Sequence, residues 1–241
     1  MLAVAVACLA LWLSPAPEPA YNGRLLSEWL NDLIATNRQP DAVAAVRAIG
    51  TNAVPHLLRG FDYSYSPRRE LLYRTSSRVF HDTLHLATQP IYDPAQLRYL
   101  GAVRGFEALG ATASNAVPSL RRLLDTPTGD GAAIALSYIG PAALPAFTET
   151  LGNGSATGRC HALVGVAHLG TNAGPALSAV LSCLNDTNLN IRNYAIAALG
   201  QMRGEAASAV PALTRLLDDP DAGVRALTVQ SLRYIGTQRV P

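Results

Sequence analysis

The feature that most constrains this chain is a helix end that keeps returning. An apolar residue followed by glycine occurs at Ile49-Gly50, Leu109-Gly110, Ile139-Gly140, Leu169-Gly170 and Ile235-Gly236, with Met202-Arg203 in the matching place. Successive ends lie 60, 30, 30, 33 and 33 residues apart. A period of this size marks stacked units, each too small to bury its apolar face alone. Proline follows each end after five or eight residues, at Pro55, Pro118, Pro145, Pro175, Pro211 and Pro241. Glycine accepts the left-handed conformation that closes a helix, and proline loses nothing in a first helical turn, where its missing N–H would be unpaired anyway. The alternation therefore predicts helix end, turn, helix start.

Between prolines the text reads as two short amphipathic helices. From Pro211, leucines recur at Leu213, Leu216 and Leu217, Asp218-Asp219-Pro220-Asp221 breaks the helix, and Val224 to Ile235 restarts it. Each unit is a helical hairpin. Alanine and leucine dominate while aromatics make up only 6%, which favours close-packed helices over sheets. An opening helix carrying Leu25, Leu26, Trp29, Leu30 and Leu33 is expected ahead of the hairpins.

The run Ala209-Val210-Pro211-x-Leu213, then Leu216-Leu217-Asp218-Asp219-Pro220-Asp221, then Val224-Arg225 and a closing Ile235-Gly236, resembles HEAT repeats and the variant found in bilin-lyase-like proteins. The resemblance extends over roughly residues 24–241. It implies an all-α fold, a right-handed α-solenoid of about six HEAT-like hairpins. Eleven residues before the ends at 170, 203 and 236 stand Arg159, Arg192 and Arg225, and four residues earlier Ser155, Asn188 and Asp221. The latter are favoured N-cap types for the second helix of each hairpin. Stacked arginines resemble the structural ladder of HEAT proteins, with guanidinium groups bridging adjacent turns; a ligand-binding row is the sharper alternative.

The 60-residue gap between Gly50 and Gly110 is twice the period. Pro55 to Arg59 begins a first helix and Ala95 to Leu109 makes a second, so an insertion is expected at about 61–94. Residues 59–104 hold seven of the 19 basic residues, all of them arginine, against four acids, with five of the nine tyrosines and two of the four phenylalanines. Tyrosine and arginine are enriched at binding hot spots, and insertions in repeat proteins often carry the binding face. Tyr63, Tyr65, Arg68, Arg69, Tyr73 and Arg74 are accordingly the expected partner-binding residues. The plainer alternative is that the aromatics pack the insertion onto the solenoid while the arginines stay solvated.

His81 and His85 sit four apart, as in a zinc-protease helix, but Asp82 stands where that motif needs glutamate and no third ligand is obvious. Neither metal nor cofactor is expected. Cys8, Cys160 and Cys183 form no CxxC pair, and no nucleophile elbow, phosphate-binding glycine loop or carboxylate pair at a suggestive spacing occurs. Gly129-Asp130-Gly131 and Gly152-Asn153-Gly154 read as turns within hairpins. A net charge of +2 argues against a dedicated nucleic-acid binder.

The apolar run Met1 to Leu13, followed by Ser14-Pro15-Ala16-Pro17-Glu18-Pro19-Ala20, resembles an export signal and spacer without a positive n-region. Residues 1–20 are therefore expected to be an export or membrane-anchor segment of a bacterial envelope protein, with cytoplasmic residence the alternative. Residues 21–241 are expected to form the solenoid; it stops at Pro241, where another first helix would open, which implies either a fragment or an end that pairs with something. The function expected is a non-catalytic scaffold that holds a protein partner through the concave helix face and the insertion. The rivals are a lyase-like HEAT enzyme and a nucleic-acid-binding HEAT protein.

Overall fold

In a computed structural model, residues 17–35, 40–61 and 94–236 are described. A two-residue β-hairpin, β1 (Ala20–Tyr21) paired antiparallel with β2 (Arg24–Leu25), precedes the helices. The opening helix α1 therefore begins at Leu26 and ends at Ala35, and Leu25 belongs to the hairpin. Arg24 holds the corner: its guanidinium lies 3.9 Å from the Trp29 ring centroid and donates to Asp32 at 2.8 Å. Glu18 caps α1 from the preceding segment by accepting the Ser27 N–H at 2.5 Å.

Helix α2 (Pro40–Ile49) completes the first pair. The following pairs are α3 (Val54–Arg59) with α4 (Pro94–Leu109), α5 (Val117–Leu123) with α6 (Gly129–Ile139), and α7 (Leu144–Asn153) with α8 (Ala156–Leu169). The last two are α9 (Leu177–Cys183) with α10 (Leu189–Met202), and α11 (Val210–Arg215) with α12 (Ala222–Gly236). Second helices α4, α6, α8, α10 and α12 stack each on the next, and the short first helices form the other layer. The fold is an all-α solenoid.

The register that builds this stack is set by counting back from each turn. Eight residues before it lie Ala42, Ala102, Ala132, Ala162 and Ala195, all buried, with Thr228 in the last unit. One residue before it lie Ile49, Leu109, Ile139, Leu169, Met202 and Ile235, again all buried. Alanine between neighbouring helices permits close approach, while the large residues fill the space toward the first helices. Glycine takes this further at two positions. A Cβ on Gly105 would lie 2.4 Å from the Leu57 side chain, and one on Gly165 would lie 2.3 Å from the Phe147 ring.

Gly50, Gly110, Gly140 and Gly170 all have positive φ, as does Arg203 at 53°. The conformation is not the left-handed helical one expected. At Gly140, Gly170 and Arg203 ψ runs from −124° to −147°, a region that L side chains rarely adopt. The chain then passes into a 3-10 turn that leads to the next first helix. Gly236 does not share the feature and closes α12 without a positive φ.

Two further expectations are corrected. Pro175 lies inside the 3-10 turn Gly170–Ala176 and does not open α9, because Gly174 stands where Val54 starts the helix in the otherwise identical Gly-Thr-Asn-Ala turn at residue 50. Gly129-Asp130-Gly131 is not a turn but the first turn of α6, where Gly131 accommodates the Tyr99 ring and Gly129 the His161 imidazole.

Candidate functional site

Two surfaces carry polar side chains in register, and a third, a cleft, carries them without one. The first is the edge where each hairpin turns back. Ser155 Oγ accepts the Gly158 N–H at 3.0 Å, Asn188 Oδ1 accepts the Asn190 N–H at 2.9 Å, and Asp221 Oδ1 accepts the Val224 N–H at 3.0 Å. These are the N-caps. Arg192 Nη1 donates to the carbonyls of Asp186 at 2.9 Å and Thr187 at 3.2 Å, and Arg225 Nη1 repeats this with Asp219 at 2.7 Å and Pro220 at 3.0 Å. Arg159 Nη1 donates to Gly154 O at 2.9 Å, and its Nη2 reaches the Asp186 carboxylate of the next hairpin at 3.0 Å. Each arginine thus ties the start of a second helix to the carbonyls left over in the turn behind it, and Arg159 also links two hairpins.

At the same edge, Asp125 accepts both the backbone N–H and the hydroxyl of Ser155. Cys160 and Cys183 lie beside Arg159 and Asp186, and burial pushes both thiols above their ordinary pKa. They are small apolar fillers here, poor as nucleophiles. On α4, Tyr99 donates to Asp130 Oδ1 at 2.9 Å, and burial together with that carboxylate raises the phenol pKa. Tyr99 and Phe106 pack around Phe61, and Thr128 Oγ1 donates to Phe61 O at 3.2 Å. This cluster anchors the end of α3 against α4 and the turn before α6.

The second surface is the open stripe of the second helices, on the side away from the alanine register. Positions thirteen, nine, six and two residues before each turn fall on one helical face. On α8 these are Thr157, His161, Val164 and His168; on α10, Asn190, Tyr194, Ala197 and Gln201. On α12 they include Leu227, Gln230 and Tyr234, and on α6 Ile134 and Tyr138. His168, Gln201 and Tyr234 are exposed at equivalent places, as is Tyr194, with Tyr138 half-buried. No Asp, Glu, Arg or Lys occurs among these side chains of α6, α8, α10 and α12, whereas α4 places Arg104 six residues before its turn. Reading the sequence for motifs misses this stripe, although the position two residues before each of the last four turns already spells Tyr, His, Gln, Tyr. The third surface is a cleft beside α1, rimmed by Glu18, His56, Arg59 and Arg98.

Tyr63, Tyr65, Arg68, Arg69, Tyr73 and Arg74, like His81 and His85, lie outside the described residues, as does Met1 to Ala16. Among the described residues, no group of three or more His, Cys, Asp or Glu side chains is placed to hold a metal ion. No helix among them is long and apolar enough to cross a membrane.

The model of the HEAT repeat family matches residues 144–233, which span α7 to most of α12. That stretch of the chain is similar to HEAT repeats. The match falls on the units whose caps and turn arginines were described above. No curated protein sequence matches the chain. Among solved structures, a designed armadillo repeat protein in complex with a (KR)4 peptide is 16% identical, with 87% of this chain and 99% of that one covered at a TM-score of 0.42. A second designed armadillo repeat protein is 17% identical over the same shares, with a TM-score of 0.39. An engineered protein is 16% identical, covering 88% of this chain and 96% of its own length, with a TM-score of 0.42.

Proposed function

We propose that this protein is a non-catalytic scaffold that holds a protein segment along the open stripe of its second helices. The observation that carries this reading is the chemistry of the stripe from α6 to α12: tyrosine, histidine, asparagine and glutamine side chains recur at fixed positions, without a formal charge. Tyrosine and asparagine supply contact area and adaptable hydrogen bonds at low entropic cost, the chemistry favoured where polypeptide is recognised. A nucleic-acid face needs lysine or arginine against phosphates, and from α6 to α12 this stripe has neither. The repeat spacing favours an extended partner that meets one set of side chains per hairpin.

The Arg/Tyr-rich insertion at about 61–94, with Tyr63, Tyr65, Arg68, Arg69, Tyr73 and Arg74, is a second contact surface in this proposal. Its support is the composition of that stretch. The apolar run at the N-terminus supports export to the bacterial envelope or anchoring there. A reporter fused after Ala20 that stays in the cytoplasm would remove that part of the reading.

The test of the scaffold is a displayed peptide library selected against the full chain and counter-screened against a Tyr194→Ser/Tyr234→Ser variant. Peptides that hold the parent at least about tenfold more tightly than the variant support the stripe as the binding face, a factor expected when a central tyrosine is truncated. Selected peptides that bind both proteins equally would sink it.

A further inference from the structure

The open stripe of the second helices has a floor and two walls. Six residues before the turn stand Ile134, Val164 and Ala197, short apolar side chains that are half-buried. On one side of them along the helices stand His161 and Tyr194, nine residues before the turn, and on the other Tyr138, His168 and Gln201, two before it. Seven residues of helix separate these two rows by about 10.5 Å. Short side chains between longer ones leave a shallow trough that runs from α6 across α8 to α10.

A second property separates this surface from the turn edge. There the caps and arginines are committed to N–H groups, to carbonyls and to the Arg159–Asp186 pair. In the stripe, the side chains of Thr157, His168, Asn190, Tyr194 and Gln201 are exposed and hydrogen-bond to no other described residue. His161 differs, since its Nδ1 donates to Leu124 O at 2.7 Å and so fixes the ring. The trough therefore offers polar groups in two rows above an apolar floor, with no formal charge at any of these positions.

We infer that the segment held here is proline-rich and lies across the helices as a polyproline II helix, with one proline ring on each of Ile134, Val164 and Ala197. This rests on the scaffold reading and names its partner. Repeat distance carries the choice. Packed helices lie roughly 8–10 Å apart, and a polyproline II helix brings the same face round every three residues, or about 9.3 Å. A β-strand returns to the same face after about 6.6–6.8 Å and falls out of step by the second hairpin. An α-helical partner with a heptad stripe would keep step, but its carbonyls are already bonded within the helix and could not meet two rows of donors. Polyproline II carbonyls have no internal partner. Charge agrees as well, because an uncharged segment enters a neutral trough without burying an unpaired ion. Tyrosine walls suit the rigid apolar ring, and a chain already held in one conformation loses little entropy on docking.

The test is a fluorescence anisotropy titration of the full chain with two labelled peptides of one composition, built from proline, alanine and serine. One carries proline at every third residue, and its isomer carries the same prolines at alternating spacings of two and four. The triplet peptide is expected to bind about tenfold more tightly, because the isomer takes a ring off the floor. Ala197→Gln raises the floor with the residue that α12 carries at the matching place, Gln230, so the fold accommodates it. This variant is expected to weaken the triplet peptide about tenfold at an unchanged melting temperature. Equal affinity of the two isomers, or no loss in Ala197→Gln, would overturn the assignment. Library peptides that depend on Tyr194 and Tyr234 yet lack prolines at three-residue spacing would overturn it while leaving the scaffold reading in place. Library peptides indifferent to those tyrosines would overturn both.

Discussion

The stack from α7 to α12 and the assembly of α1 to α4 use the same helical hairpin, yet they hold it together differently. In the C-terminal stack every unit repeats one solution: an N-cap, a turn arginine, a small residue toward the neighbouring helix (alanine, or Thr228 in the last unit) and a large residue before the turn. At the N-terminal end α1 is pinned by Arg24 and Trp29, α4 substitutes Gly101 and Gly105 for bulk, and Phe61, Tyr99 and Phe106 replace the aliphatic core. Regular packing shapes each unit to its copy. The irregular end must join unlike surfaces, and a cleft remains where they meet.

The largest expected effect lies in the regular stack. Phe147→Ala removes a fully buried ring wedged against Gly165, and is expected to cost about 3–5 kcal/mol by urea unfolding. A loss below about 1 kcal/mol would mean that this half repacks as readily as a loose core. Gly165→Ala attacks the same contact from the other side. Its new methyl would meet the Phe147 ring at 2.3 Å, so a loss of about 1–3 kcal/mol is expected in the same measurement. Gly101→Ala at the irregular end meets its neighbour at 3.3 Å and should cost distinctly less.

Arg203→Gly should go the other way. Arg203 is the one non-glycine turn residue of the series, held at φ 53° and ψ −127°, so relief of backbone strain should stabilise the protein by about 1 kcal/mol in thermal unfolding. A destabilised variant would show that its side chain matters more than its backbone. A double-mutant cycle on Arg159→Ala and Asp186→Ala is expected to give a coupling near 1 kcal/mol, because both side chains are mostly buried. Zero coupling would reduce the contact between those hairpins to shape alone.

The smallest effect is expected at His56. Burial and Arg59 lower its pKa below 6.5, so the folded state takes up its proton later than the unfolded one as pH falls. Its contribution is present above pH 6.5 and is lost as pH drops through the lowered value. An NMR titration of the His56 ring should give a midpoint below 6.5, and a midpoint above it would contradict that lowering.

Much of the regular half was legible because each position is set by local rules. Ser155, Asn188 and Asp221 are cap types, the glycines mark positive φ, and the arginines recur at one distance from them. The sequence did not separate two turn geometries that share the same four residues at Gly50 and Gly170, since only Gly174 distinguishes them. It also hid the stripe, whose members are ordinary polar residues that acquire meaning only when stacked. The cleft was harder still. His56, Arg59, Arg98 and Glu18 come from separate segments, and nothing periodic connects them.

Because each second helix touches only its neighbours in the stack, the middle of the molecule is supported from two sides and α12, within the described residues, from one. Opening free energies in such a row are not uniform, so amide hydrogen exchange should be slowest in α8 and α10 and quicken toward α12. A partner lying across several hairpins would have to keep them all closed at once, and would be felt as slower exchange in helices it never touches.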